Sequence, residues 1–172
     1  MPRRNSLVIP ALLIATALYA QPAKQSAHAD IINAKGETIG TAELRSSHGG
    51  VKISLNISQL PPGTHALHIH AVGKCDSPDF KTAGPHFNPG GKKHGSKNPE
   101  GPHAGDLPNF EVGPQGTAKV SLRATRVSLG DGPNSLFHAD GTALVIHEKA
   151  DDYMTDPAGN AGARIACGVV HK

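Results

Sequence analysis

Residues 51–57 alternate strictly. Val51, Ile53, Leu55 and Ile57 are apolar, and Lys52, Ser54 and Asn56 between them are polar. A period of two places one set of side chains on a buried face and the other in solvent, the pattern of a half-buried strand. Pro61-Pro62-Gly63 ends it. Residues 30–34 and 38–44 are short segments parted by Lys35-Gly36-Glu37 and are also expected as strands. Further strands are expected over 66–72, 118–122, 142–147 and 164–170. No stretch has convincing helical periodicity. Short strands divided by Gly- and Pro-rich turns predict an all-β antiparallel sandwich or barrel.

Two stretches break the pattern. Residues 73–100 are rich in Gly, Pro, Lys and Asn and nearly free of periodic apolar positions, and 151–162 repeat this on a smaller scale. Loops of this length in a compact domain are usually functional or disordered, so something other than a conventional core is expected to hold them.

The front of the chain is different again. A short basic start, Met1-Pro2-Arg3-Arg4-Asn5, precedes an apolar run from Leu7 to Ala20 that is interrupted by Pro10 and too short for a resident membrane helix. Ala27-His28-Ala29 offers a small-x-small cleavage pattern. The expectation is a signal peptide over 1–29, cut after Ala29 or alternatively after Ala20, and one domain over 30–172. No Cys lies near the cut to carry a lipid. The protein is therefore expected to be exported, periplasmic or secreted, with no membrane anchor once the signal is removed.

Charge changes with that removal. The 172 residues hold 17 Lys+Arg and 14 Asp+Glu, but Arg3, Arg4 and Lys24 precede residue 30 and no acid does. What remains is balanced, and nothing in it suggests nucleic acid as a partner. The two cysteines, Cys75 and Cys167, stand in opposite halves. Export permits a bridge between them, and closing a loop of nearly a hundred residues is worth roughly 4–5 kcal/mol in the chain-entropy account.

The histidines supply the chemistry. His68-Ile69-His70 lies within an expected strand, so both imidazoles leave from one face and Ile69 from the other. His86, His94, His103 and Asp106 follow in the long polar stretch, and His147 ends the run Ala143-Leu144-Val145-Ile146. Rigid strand-borne imidazoles, His68, His70 and His147, suit copper. His94, His103 and Asp106 suit a closed tetrahedral zinc site. Each set is one ligand short, and His86, having two ring nitrogens, completes both as a bridge.

The segments Leu67-His68-Ile69-His70, Ala83-Gly84-Pro85-His86-Phe87-Asn88-Pro89, Lys93-His94-Gly95, His103-Ala104-Gly105-Asp106-Leu107, Leu144 to Asp152 and Gly159 to Gly168 resemble, in order, the signature segments of the copper/zinc superoxide dismutases. The resemblance implies an eight-stranded antiparallel Greek-key β-barrel (a flattened sandwich) with two long functional loops. It implies one copper on His68, His70, His86 and His147, and one zinc on His86, His94, His103 and Asp106. Asp151 matches a carboxylate that braces one histidine of each set from behind, a role with its own physical reason. Arg164 matches an arginine beside the copper that attracts and orients a small anion, and a Cys75–Cys167 disulfide would help hold it. The implied reaction is dismutation of superoxide to dioxygen and hydrogen peroxide, with His86 as proton carrier. A copper-delivery protein on the same barrel, without turnover, is the alternative.

The chain departs from many relatives in its short 151–162 loop and in Ala158, where a hydroxyl residue often lines the copper pocket; both are features of bacterial exported members. Lys149, Lys92 and Lys93 are candidates for steering the substrate. His65 matches a histidine that braces the barrel, His48 and His171 are expected in solvent, and His138 has no assigned role. The family pairs its barrels in more than one way, so monomer and homodimer both stay open.

Overall fold

The computed structural model describes residues 25–172, so most of the expected leader, and the alternative cut after Ala20, lie outside the described residues. Nine strands run through that part: β1 (Ser26–Asn33), β2 (Thr38–Ser47), β3 (Gly50–Ile57), β4 (Gly63–His65), β5 (Leu67–His70), β6 (Phe110–Val112), β7 (Ala118–Ala124), β8 (Ala143–His147) and β9 (Arg164–Val169). Seven form one sheet in the order β5-β8-β9-β1-β2-β3-β7, and β4 pairs with β6. Every strand pair is antiparallel.

Only Ala66 separates β4 from β5. Its N–H donates to Lys149 O and its carbonyl accepts from His147 N, so one extended stretch changes partner from β6 to β8 at that residue. Taken as one, β4 and β5 bring the strand count to eight, and the sheet curls until β6 lies beside β7. This is the all-β barrel expected from the pattern. Inside it, Ile31, Leu44, Ile53, Leu67, Ile69, Leu144 and Ile146 are fully buried. Each such aliphatic side chain contributes about 1.5–3 kcal/mol on burial.

Most strands start and stop within a few residues of the segments expected from the sequence. β1 is the exception, beginning at Ser26, with Ala27 and Ala29 buried in the core. β4 and β6 were not expected; at three residues each they are too short to display a period. The two long loops are loops, apart from a 3-10 turn at Lys81–Ala83.

Candidate metal centre

The alternation that sends Leu67 and Ile69 into the barrel sends His68 and His70 out of its wall. β8 pairs with β5 and presents His147 on that same outer face. A register shift between Ile146 and His147 then sets Arg164 of β9, in place of Ile165, opposite His147. Such a bulge re-aims a side chain, here the guanidinium.

The loops reach this face through backbone hydrogen bonds along the free edge of β5. Ile69 N donates to Gly105 O at 2.9 Å, and Phe87 N donates to Ile69 O at 2.8 Å. Ala71 N donates to Pro85 O at 2.9 Å and Val72 N to Ala83 O at 3.0 Å. A Cβ on Gly105 would collide with Ile69 O, so this approach needs a residue without one. His86 is thereby set against His70, and Asp106 against His68. The loop also has an apolar anchor: Phe80 is fully buried with Ala83, Ala143, Val145 and Cys167. The long loop thus has backbone pairing and a small core of its own, which its composition did not suggest. Cys75 and Cys167 are joined by a disulfide, as expected.

Two donor groups result. In the first, His68, His70, His86 and His147 each bring a ligand atom within 4.8 Å of the others. Their buried His68 Nδ1 and Nε2 of His70, His86 and His147 have no hydrogen-bond partner. A buried nitrogen left without a partner is costly, so four facing one another call for an ion.

In the second, Asp106 Oδ1 lies 3.0 Å from His86 Nδ1, 3.1 Å from His94 Nδ1 and 3.3 Å from His103 Nδ1. His103 Nδ1 lies 3.4 Å from His86 Nδ1. A tetrahedral zinc with bonds of 2.0–2.1 Å has edges of about 3.3 Å, so this set fits the ion. His68 is also near this group. Its Nε2, however, is bonded to Asp151 Oδ2 and its Nδ1 belongs to the first group, so His103 is the fitting fourth donor. His86 presents Nδ1 to one group and Nε2 to the other.

Asp151 stands behind both groups. Its Oδ2 accepts from His68 Nε2 and its Oδ1 from His94 Nε2, each at 2.9 Å, with the carboxylate wholly buried. Burial alone would raise its pKa, but these bonds hold it below the usual carboxylate range. Asp106 is likewise held low against burial by His103, His86 and His94. Burial pushes His86 down to about 4 and His147 to about 3. His94 goes the other way: burial would lower it, but Asp106 and Asp151 together lift it to about 9.

Sequence reasoning passed over several supporting residues. Asn109 brackets the Asp151 backbone, its Nδ2 donating to Asp151 O and its Oδ1 accepting from Asp151 N, both at 2.9 Å. Asp156 Oδ1 accepts from His94 N at 2.7 Å. A Cβ on Gly159 would collide with Asp151 Oδ1. None of these stands in a local pattern that the sequence could have displayed. His65 reaches His147 O and Pro61 O, each at 2.8 Å, and so ties the turn before β4 to the end of β8. His48 and His171 are exposed, and His138 stacks on Phe87 with centroids 5.2 Å apart.

An open cleft of about 1030 Å³ leads to the centre, lined by His86, His103, His147, Arg164 and Ala158. Arg164 Nη1 donates to Phe80 O at 2.7 Å and Nη2 to Gly84 O at 2.8 Å, which fixes the guanidinium at the cleft wall. Lys81, Lys92 and Lys93 also line the cleft, whereas Lys149 does not.

A curled antiparallel barrel with two donor groups sharing one imidazole on its outer wall defines a class of paired-metal protein. Residues 38–170 match the family model of copper/zinc superoxide dismutase. Superoxide dismutase [Cu-Zn] 1 of Aquifex aeolicus is 59% identical over 145 residues, 83% of this chain and 86% of the relative. Superoxide dismutase [Cu-Zn] 2 of the same organism is 51% identical over 172 residues, 99% of each. A crystal structure of a superoxide dismutase-like protein from Bacillus subtilis superposes with a TM-score of 0.80 at 44% identity, covering 83% of this chain and 96% of that one. The chain belongs to the copper/zinc superoxide dismutase family.

Proposed function

We propose that the chain dismutates superoxide to dioxygen and hydrogen peroxide. Copper would be held by His68 Nδ1 and by Nε2 of His70, His86 and His147. Zinc would be held by Nδ1 of His86, His94 and His103 and by Asp106 Oδ1. The observation that carries this reading is the two-sided use of His86, whose Nε2 is unpartnered among the first group while its Nδ1 sits among the second. When bound, copper would supply the one-electron redox change and zinc a fixed positive charge.

The residues of the chain do the rest. Arg164, held by two loop carbonyls, keeps a permanent positive charge in the cleft, where it attracts and orients a small anion. His86 Nε2 would be the atom that takes up and passes on a proton. Asp151 keeps His68 and His94 in fixed orientation through their outer nitrogens. The alternative, a copper-holding protein without turnover, is disfavoured by the full donor set standing beside Arg164.

The test is metal analysis of protein loaded with copper and zinc, paired with superoxide consumption. One of each ion per chain with turnover is expected; stoichiometric copper with no turnover would sink the dismutase reading. Arg164→Ala should slow turnover roughly tenfold or more while copper is retained. His86→Ala should change the visible copper spectrum, and an unchanged spectrum counts against a bridge.

We also infer export, which the disulfide supports. Retention of the whole of β1 favours removal of the leader before Ser26, as a cut after Ala20 would achieve. A cut after Ala29 would take Ala27 and Ala29 out of the core. The intact mass of the exported protein decides between them.

A further inference from the structure

Away from the cleft, two histidines stand side by side on neighbouring stretches of backbone. His28 lies in β1, and His171 lies just beyond β9. Each donates its N–H to the carbonyl of the other, both at 2.8 Å. An antiparallel pair that exchanges both bonds holds its Cα atoms about 5.5 Å apart with the side chains on one face. The two rings are 5.9 Å apart, centroid to centroid, inclined by 43°, and both residues are exposed. On the other side of His28, its register partner on β2 is Glu43, also exposed. His171, His28 and Glu43 therefore form a row across β2, β1 and the stretch just beyond β9, on the outer face of the barrel. Glu43 pairs with Arg45 at 3.0 Å, but both side chains are largely in solvent, and such a pair is worth little.

We propose that this row binds one divalent transition-metal ion of the copper(II) or zinc class, through the imidazoles of His28 and His171 with Glu43 as third ligand. Imidazole is a good donor for these ions, and a carboxylate can join it on zinc. Two imidazole nitrogens on one ion stand roughly 3 Å apart, given bonds of 2.0–2.1 Å. Rings with centroids at 5.9 Å reach that spacing by side-chain rotation alone, because the paired backbone already fixes their origins. Water completes the coordination.

This site is unlike the centre on β5 and β8. It is open to solvent, and its ion exchanges freely with the medium. It also fastens the last residues of the chain to β1, so an ion held there stabilises the folded form. The site exists only where His28 is retained, and so rests on the leader being removed before His28.

Protein loaded with copper and zinc, and freed of excess ions, is titrated with zinc chloride in a calorimeter after its intact mass has established that His28 is present. One further equivalent per chain is expected. Its affinity should fall at least tenfold in His28→Gln and in His171→Gln and several-fold in Glu43→Gln, with superoxide turnover unchanged. The thermal midpoint of the parent should rise with excess zinc, and that of the double histidine variant should not. Absence of a further equivalent overturns the proposal, as does an equivalent that survives unweakened in either histidine variant, or a mature chain lacking His28. The two tightly held ions are counted in the same experiment, so failure here leaves the reading of the cleft standing or falling on its own data.

Discussion

At the scale of single residues, Asp151 is the point where the two donor groups meet. One buried carboxylate accepts from a histidine of each group. Asp151→Asn conserves the volume but can no longer accept at both oxygens, and should weaken metal retention by roughly 10- to 100-fold in a chelator competition. Titration of the metal-free protein carries a second expectation. Asp106 and Asp151 lift His94 to about 9 against its burial, so its contribution is complete below pH 6.5 and lost as pH rises through 9. Burial holds His86 near 4 and His147 near 3. The unfolded chain takes up those protons first, so stability is lost as pH falls below 6.5. The thermal midpoint of the metal-free protein should therefore peak near pH 6.5; a steady rise from pH 5 to 9 would contradict this. The seven candidate donor residues, which the structure brings together, were legible because H-x-H in a strand and loop histidines are visible in a one-dimensional string. Asp151 and Arg164 were legible only through resemblance, and Asn109 not at all, since its role is to meet a backbone 42 residues away.

Strands and loops were legible to different degrees. Period-two alternation located β3, which buries one face, whereas β2, β7 and β9 were legible as short segments between turns and β8 as a short apolar run, being buried along its whole length. β4 and β6 are too brief to show it, and the first half of β1 was concealed because Ala27-His28-Ala29 also fits a cleavage pattern. The shift between Ile146 and His147 that turns Arg164 toward the cleft depends on which residues oppose one another across two strands, information that no single segment holds. The long loop looked as if metal and disulfide alone must order it. Phe80 shows otherwise: it packs with Cys167 and Val145, and its carbonyl receives Arg164. Phe80→Ala should cost roughly 3–5 kcal/mol in denaturant unfolding. It should also lower turnover by freeing the guanidinium, with copper content preserved.

For the whole molecule, Lys81, Lys92 and Lys93 line the cleft, where a positive field would act on a small anion before any contact. Lys81 is engaged with Asp79 at 2.6 Å and Lys93 faces Asp156 at 3.7 Å. Among the described residues no carboxylate pairs with Lys92, so it should contribute most to steering. Lys92→Ala is expected to reduce kcat/KM several-fold at low ionic strength, with the difference fading toward 1 M salt, where screening acts over about 3 Å. A constant deficit at all salt concentrations would assign Lys92 a local role instead. The pairing of the loops to β5 has a consequence for the protein in a crowded compartment. β5 terminates its sheet, and its outward row of amides and carbonyls is covered only by 83–87 and 105. An uncovered strand edge invites pairing with another chain. If loss of the ions loosens those segments, neighbouring molecules gain a template for intermolecular sheet growth. The stripped protein should then scatter light on gentle heating, at temperatures where the loaded form stays clear.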